Sequence, residues 1–212
     1  MGVPRVPPPG PGINDGITVN GSGKSFASAS SAQVTLHFTS AQNVSITPAA
    51  LQPVLDALQR SGVRRSDIIE PPYIGTAAYI HQASLTFSVQ HPTLTLFENG
   101  ITQMGAAISG SQMNLNDAMV TLHVANCEEV LHEAQRAAIA NAKANALSIA
   151  AQIGASLGPV LAVAAPSFAG NSGDDCTSSY SINAYSSQPM AAADYLRVPV
   201  PASVTVRYAI RH

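Results

Sequence analysis

The chain has 212 residues and a mass of 21.8 kDa, enough for one large domain or two small ones. Its 46% hydrophobic content excludes a disordered chain. Charged residues make up only 10%, and the net charge is −2, so the basic patch that a nucleic-acid binder needs is missing. Trp is absent and aromatics are 5%, which excludes aromatic-rich platforms for sugars or bases.

No apolar run reaches the roughly 18 residues that a membrane-spanning helix needs. The opening MGVPRVPPPGPGIND lacks the apolar stretch of a signal peptide. Residues 1–15 read as a flexible Pro/Gly-rich leader, and residues 16–212 as one domain.

In chain order, Ile17 and Val19 lead a short strand, ended by Gly21 and Gly23. Val34, Leu36 and Phe38 alternate with Thr35, His37 and Thr39, the period of a half-buried strand. Thr47-Pro48 opens a helix with Leu51, Val54, Leu55 and Leu58 on one face, closed by Gly62. Pro53 removes a backbone donor there and predicts an irregular first turn. Ile68 and Ile69 form a short extended piece before Pro71-Pro72. Ala83, Leu85, Phe87 and Val89 mark a long strand. Thr95 and Glu98 have capping-box spacing, ahead of a stripe of Leu94, Phe97, Ile101, Met104 and Ile108.

Val120, Leu122 and Val124 alternate as another strand. A long helix follows from Asn126 to Ile153, its start favoured by Glu128 and Glu129 at the positive end of the dipole. Its seam reads Leu131, Ala134, Ala138, Ala142, Ala146, Ile149 and Ile153, the small residues allowing close packing on a sheet. A second face carries Ile139, Leu147, Ala150 and Ala151, more apolar surface than one packing face requires. Val160 to Val163 form a short apolar strand after Gly158-Pro159. Residues 167–194, rich in Ser, Gly, Asn and Ala, lack any period and read as a long mobile loop. Val204, Val206, Tyr208 and Ile210 close the chain as a strand. The order predicts an α+β fold: a mainly antiparallel sheet with helices packed on one face. Two diverged strand–helix–strand units, about 32–91 and 119–166, are expected within it.

The residues offer little catalytic chemistry. His37 and His123 fall on the outward phase of their strands, but two ligands do not close a metal site. His132-Glu133 starts like HExxH, but Arg136 stands where the second His belongs. Gly21 to Ser25 fails the phosphate-loop spacing and is expected to be a turn. There is no G-x-S-x-G elbow. No catalytic residue, cofactor-binding residue or metal ligand is assigned, and no cofactor is expected. Cys127 and Cys176 match no metal spacing; they either form one disulfide or remain two thiols.

The order of motifs resembles a known family. Ile17 to Gly23 (ITVNGSG) resembles its first strand and glycine turn, and Leu55 to Ile69 (LDALQRSGVRRSDII) its helix exit. Gly105-Ala106-Ala107-Ile108 resembles a short element before a strand. Glu133 to Val163 (EAQRAAIANAKANALSIAAQIGASLGPVLAV) is similar to its long alanine-rich helix and the strand after it. Val198 to Ile210 (VPVPASVTVRYAI) resembles its last strand. These are the marks of the SIMPL domain family, over about residues 16 to 212. The resemblance implies an α+β fold, a periplasmic or secreted location in bacteria, and a link with oxidative-stress defence. It also implies self-association into a homo-oligomer, and it supplies no catalytic residues.

The expected function is therefore a non-enzymatic, self-associating cell-envelope protein, with Ile139, Leu147, Ala150 and Ala151 as the oligomer face. The alternative is a binding module for a small molecule or a cell-wall polymer, using the 167–194 loop.

Overall fold

The computed structural model describes residues 16–40, 44–74, 81–164, 176–183 and 193–211. The leader, residues 1–15, lies outside them, as do residues 167–175 and 184–192 of the expected loop. The fold is α+β, with eight strands and three α-helices among the described residues. The strands divide between a three-stranded sheet and a five-stranded sheet. Where the sequence outlines one domain over 16–212, the chain forms two compact units. Among the described residues, one comprises residues 16–25, 128–164 and 200–211; the other comprises residues 26–40, 44–74, 81–127, 176–183 and 193–199.

The first unit holds most of β1 (Gly16–Ser28), α3 (Cys127–Gln152), β6 (Ser156–Val163) and most of β8 (Arg197–Arg211). Its sheet runs in the order β1-β8-β6, with β6 antiparallel to β8. The glycines do not end β1 as the sequence suggested; they sit inside it. A Cβ on Gly21 would collide with the Ala138 carbonyl and the Ala142 amide, and one on Gly23 with the Ala134 carbonyl and the Ala138 amide. The helix therefore rests on the strand backbone itself. Its seam is Ala134, Ala138, Ala142, Ala146 and Ala150, all fully or almost fully buried. The register follows from two repeat lengths. Two strand residues advance about 6.6 Å and four helix residues about 6.0 Å, so a period of two on β1 meets a period of four on α3. Val19, Val204, Val206 and Tyr208 complete this core.

The seam corrects the sequence reading at its ends. Ile149 and Ile153 are 39% and 50% exposed, and Ala150 takes the buried place between them. An i, i+4 row drifts by about 40° per step, and the strand twist follows that drift. The 3-4 spacing of the sequence stripe does not.

The second unit has a sheet of order β3-β4-β2-β5-β7, antiparallel at every pair. The strands are β3 (Ile68–Ile74), β4 (Gln82–Gln90), β2 (Ser31–Ser40), β5 (Met113–Val124) and β7 (Cys176–Asn183). Ala32, Val34, Leu36 and Phe38 stand opposite Val89, Phe87, Leu85 and Ala83 on one side, and Leu122, Val120, Ala118 and Leu115 on the other. All twelve are buried, whereas the intervening residues form an outer face that is polar except for Met119, 43% exposed. The helices α1 (Pro48–Ser61) and α2 (Leu94–Ile108) supply Leu51, Val54, Leu55, Leu58, Phe97 and Met104 to the same core. Because β5 and β6 belong to different sheets, the expected repeat unit 119–166 is split between them.

Local rules explain the remaining departures. Thr47 caps α1 by accepting from the Ala50 amide at 3.3 Å, and Gly62 closes it in the left-handed conformation. The helix continues through Pro53, which lies on its exposed face, where the unpaired Ala49 carbonyl can reach water. Thr93, not Thr95, caps α2, accepting from the Leu96 amide at 3.2 Å. The strand β3 runs on past Pro71-Pro72 because it is a sheet edge, where a missing amide donor costs little, and its register shifts there.

The expected 167–194 loop contains a strand. β7 pairs with β5 from Val124↔Cys176 to Asp117↔Asn183. Its inward phase reads Cys176, Ser178, Tyr180 and Ile182, an alternation that Ser178 interrupts and the Ser-, Gly- and Asn-rich surroundings obscure. Cys176 and Cys127 form a disulfide, with Cα atoms 5.3 Å apart and a sequence separation of 49. Tyr180, on the inward phase of β7, packs against Tyr195 with ring centroids 5.6 Å apart and planes tilted by 56°. Its hydroxyl is buried and meets no hydrogen-bond partner among the described residues. Burial, and secondarily Tyr195, push its pKa up to about 12.

Glycine substitutions should have opposite signs in the two units. Gly21→Ala should destabilise the first unit by at least the ~1–3 kcal/mol of ordinary overpacking, because the obstacle is backbone. Gly100→Ala should stabilise the second by about 0.5–1 kcal/mol, since the added methyl meets only Ser61 Oγ at 3.8 Å and the residue is helical. Urea unfolding followed by circular dichroism measures both.

Reducing the disulfide, or replacing both cysteines by serine, should cost about 2–4 kcal/mol, since closing a loop of this length restricts the unfolded chain. The shift in unfolding midpoint with and without reductant checks it.

Tyr180→Phe should be neutral or stabilising, because the hydroxyl it removes has no partner among the described residues. The pH dependence has a definite sign. Between the ordinary tyrosine value of 10.0 and about 12 the unfolded tyrosine has lost its proton and the folded one has not, so wild-type stability falls as pH rises through that window. The Phe variant should lose less stability over the same window, as read from unfolding midpoints on either side of it.

Candidate functional site

Two surfaces stand out, one in each unit. In the first unit, α3 presents apolar side chains beside its buried seam. Ile139 and Leu147 each follow a seam alanine by one position and are 48% and 50% exposed. Ala151 continues that row and is exposed, whereas Ala150, expected on the same face, is buried. Lys143 lies between Ile139 and Leu147 in the same i, i+4 row. Ile149 and Ile153 lie on the opposite flank.

That opposite flank also carries Asn141 and Asn145, which deal with the edge of the sheet. The Ser22 amide donates to Asn141 Oδ1 at 3.1 Å, and Asn145 Nδ2 donates to the Asn20 carbonyl at 3.1 Å. Ser25 Oγ donates to Glu133 Oε2 at 2.7 Å. The helix thus occupies β1 edge groups that would otherwise pair with another strand. The other edge strand, β6, leaves Val160, Leu161 and Val163 about half exposed, on both of its faces.

In the second unit the candidate is polar. An open cleft of about 560 Å³ lies where the β1–β2 turn meets the ends of β4 and β5. Ser30, Ser31, Gln33, Ser88, Gln90, His91 and His123 supply its polar lining. Its rim is fixed by backbone. The His91 amide donates to the Ser30 carbonyl at 2.8 Å, and the Ser30 amide donates to the His123 carbonyl at 2.8 Å. His91 has φ +50°, a left-handed conformation that glycine tolerates better. Among the described residues, none of the lining belongs to the 167–194 segment on which the binding alternative was based.

The histidines singled out in the sequence are not brought together. His37 pairs with Asp117, its Nδ1 3.0 Å from Oδ1. His123 stands opposite Ser31, six positions away along β2. That is about 20 Å along the strand, too far to share an ion. His132 lies 3.6 Å from Glu128, one helical turn back. Sequence reasoning missed His91, because its role depends on a turn conformation that no period reports.

No helix among the described residues is long and apolar enough to cross a membrane. No curated protein matches the chain. Solved structures similar to it include the regulatory subunit of aspartate kinase from Thermus flavus, at 12% identity over 87% of this chain and 86% of that one, with a TM-score of 0.27. The ligand-free counterpart from Thermus thermophilus has 14% identity, the same coverages and a TM-score of 0.28. Clostridium acetobutylicum aspartate kinase has 10% identity over 84% of this chain and 30% of that one, with a TM-score of 0.26. Scores this low define neither a shared fold nor a shared activity. The sequence family is another matter: SIMPL, "Protein of unknown function (DUF541)", matches residues 17–209, and the chain belongs to that family.

Proposed function

We propose that this SIMPL protein acts by self-association in the cell envelope, as an assembly component and not as a catalyst. The observation that carries the reading is the row of half-exposed Ile139 and Leu147 on α3. Burying one such side chain is worth about 1.5–3 kcal/mol, and a second copy of the chain offers the same row. Only 10% of the residues are charged, so little charge opposes contact between copies. The Cys127–Cys176 disulfide supports an oxidising compartment, as the periplasm or the outside of the cell provides.

Light scattering on the full chain at micromolar concentration tests the reading. The wild type should exceed the monomer mass of 21.8 kDa. Ile139→Glu with Leu147→Glu should return it to that mass while leaving the circular dichroism unchanged, since both side chains lie outside the buried seam. A wild-type monomer overturns the proposal. An assembly that survives the helix pair but dissociates with Leu161→Lys places the interface on the β6 edge instead.

A further inference from the structure

The outer face of the five-stranded sheet changes character along its strands. At one end its polar side chains serve the fold. His37 pairs with Asp117, Ser181 Oγ donates to Asp117 Oδ2 at 3.3 Å, and Thr39 Oγ1 donates to Asn116 Oδ1 at 2.9 Å. In the middle, the hydroxyls of Thr35 and Thr86 meet at 3.1 Å, and those of Thr121 and Ser179 at 3.0 Å. At the other end, Ser31 stands opposite both Gln90 and His123, and Gln33 opposite Ser88. None of these five side chains is taken by a hydrogen bond among the described residues, and all five line the 560 Å³ cleft with His91. A volume of that order suits a small-molecule site.

We propose that this cleft binds a neutral, multiply hydroxylated ligand: a saccharide unit or the end of a glycan chain. Its chemistry selects that class. Two amides, each with donors and an acceptor, flank two serine hydroxyls and two imidazoles, and among the described residues no Lys, Arg, Asp or Glu lines the cleft. Groups that both donate and accept match hydroxyls, which do the same, whereas an anion or a cation would find no opposite charge. Adjacent strands place these groups about 4.8 Å apart, in a flat array that a ring can span. Recognition here is by hydrogen bonds, without an aromatic platform. The left-handed His91 fits the same picture: the turn holds an imidazole at the rim in a backbone conformation that glycine would occupy with less strain.

Calorimetric titration of the full chain with chitotetraose, cellotetraose and maltotetraose tests the proposal. At least one should bind saturably. Gln33→Ala and Gln90→Ala are exposed changes that leave the circular dichroism intact, and each should weaken binding by about tenfold. His91→Gly should raise the melting temperature by relieving the turn, yet weaken binding; a purely structural His91 would give the first effect without the second. Failure of all three sugars to bind at millimolar concentration overturns the inference, as does binding that the Gln33/Gln90 double variant leaves unchanged. Saturable Zn²⁺ binding that is lost in His91→Ala, in a chain that takes no sugar, also overturns it and makes the cleft a metal site.

Discussion

The first unit depends on one close approach: a helix lying directly on the backbone of a strand. Gly21 and Gly23 have no side chain to interpose, and α3 answers with alanine at every fourth position. Each part is useless without the other. A Leu in place of Ala138 would lift the helix from the strand, and any Cβ at Gly21 would do the same from the other side. Little of the stabilisation comes from large apolar side chains on the helix, since a buried methyl is worth only about 0.8 kcal/mol. It comes from many short contacts at close range, which dispersion rewards steeply with distance.

The same closeness sets what the helix can do at its margins. With α3 seated on β1, Asn141 and Asn145 reach the strand's free amide and carbonyl, two residues apart on β1 and four apart on α3. The edge is satisfied internally. The large apolar side chains of α3 cannot enter so narrow a seam and are displaced to the flanks, where Ile139, Leu147, Ile149 and Ile153 remain about half exposed. The exposed apolar surface is therefore a consequence of the close packing as much as a feature added to it.

The second unit solves its packing in a different way. Its sheet buries one face under α1 and α2 with Leu, Val and Phe, and leaves the other mainly to Ser, Thr, Asn, Asp, Gln and His, with Ile69 and Met119 as its exposed apolar side chains. An antiparallel sheet permits this division because successive side chains alternate between faces. An outer face with so few charges is held by cross-strand hydroxyl and amide contacts, and wherever those contacts lapse, polar groups are left for water or a ligand. The disulfide ties the edge strand β7 to the start of α3, compensating for a strand whose side chains bury little.

By itself the sequence determined the elements whose side chains alternate or recur: the apolar faces of β2, β4 and β8, the face of α1, and the long span of α3. Period and capping are local, so a single chain displays them. The family was legible too, because motif order survives where individual residues vary. Three things were decided only by tertiary structure. The glycines of β1 read as a turn until a helix lay against them, since a close approach and a turn call for the same residue. The strand β7 carries only an interrupted period, with Ser178 between Cys176 and Tyr180 on its inward phase, so its partner β5 and the bond to Cys127 are what specify it. And the cleft joins residues 30–33, 88–91 and 123–125, which only strand pairing brings together. Its polar groups belong to three separate stretches of chain, and no spacing within any one of them announces the site.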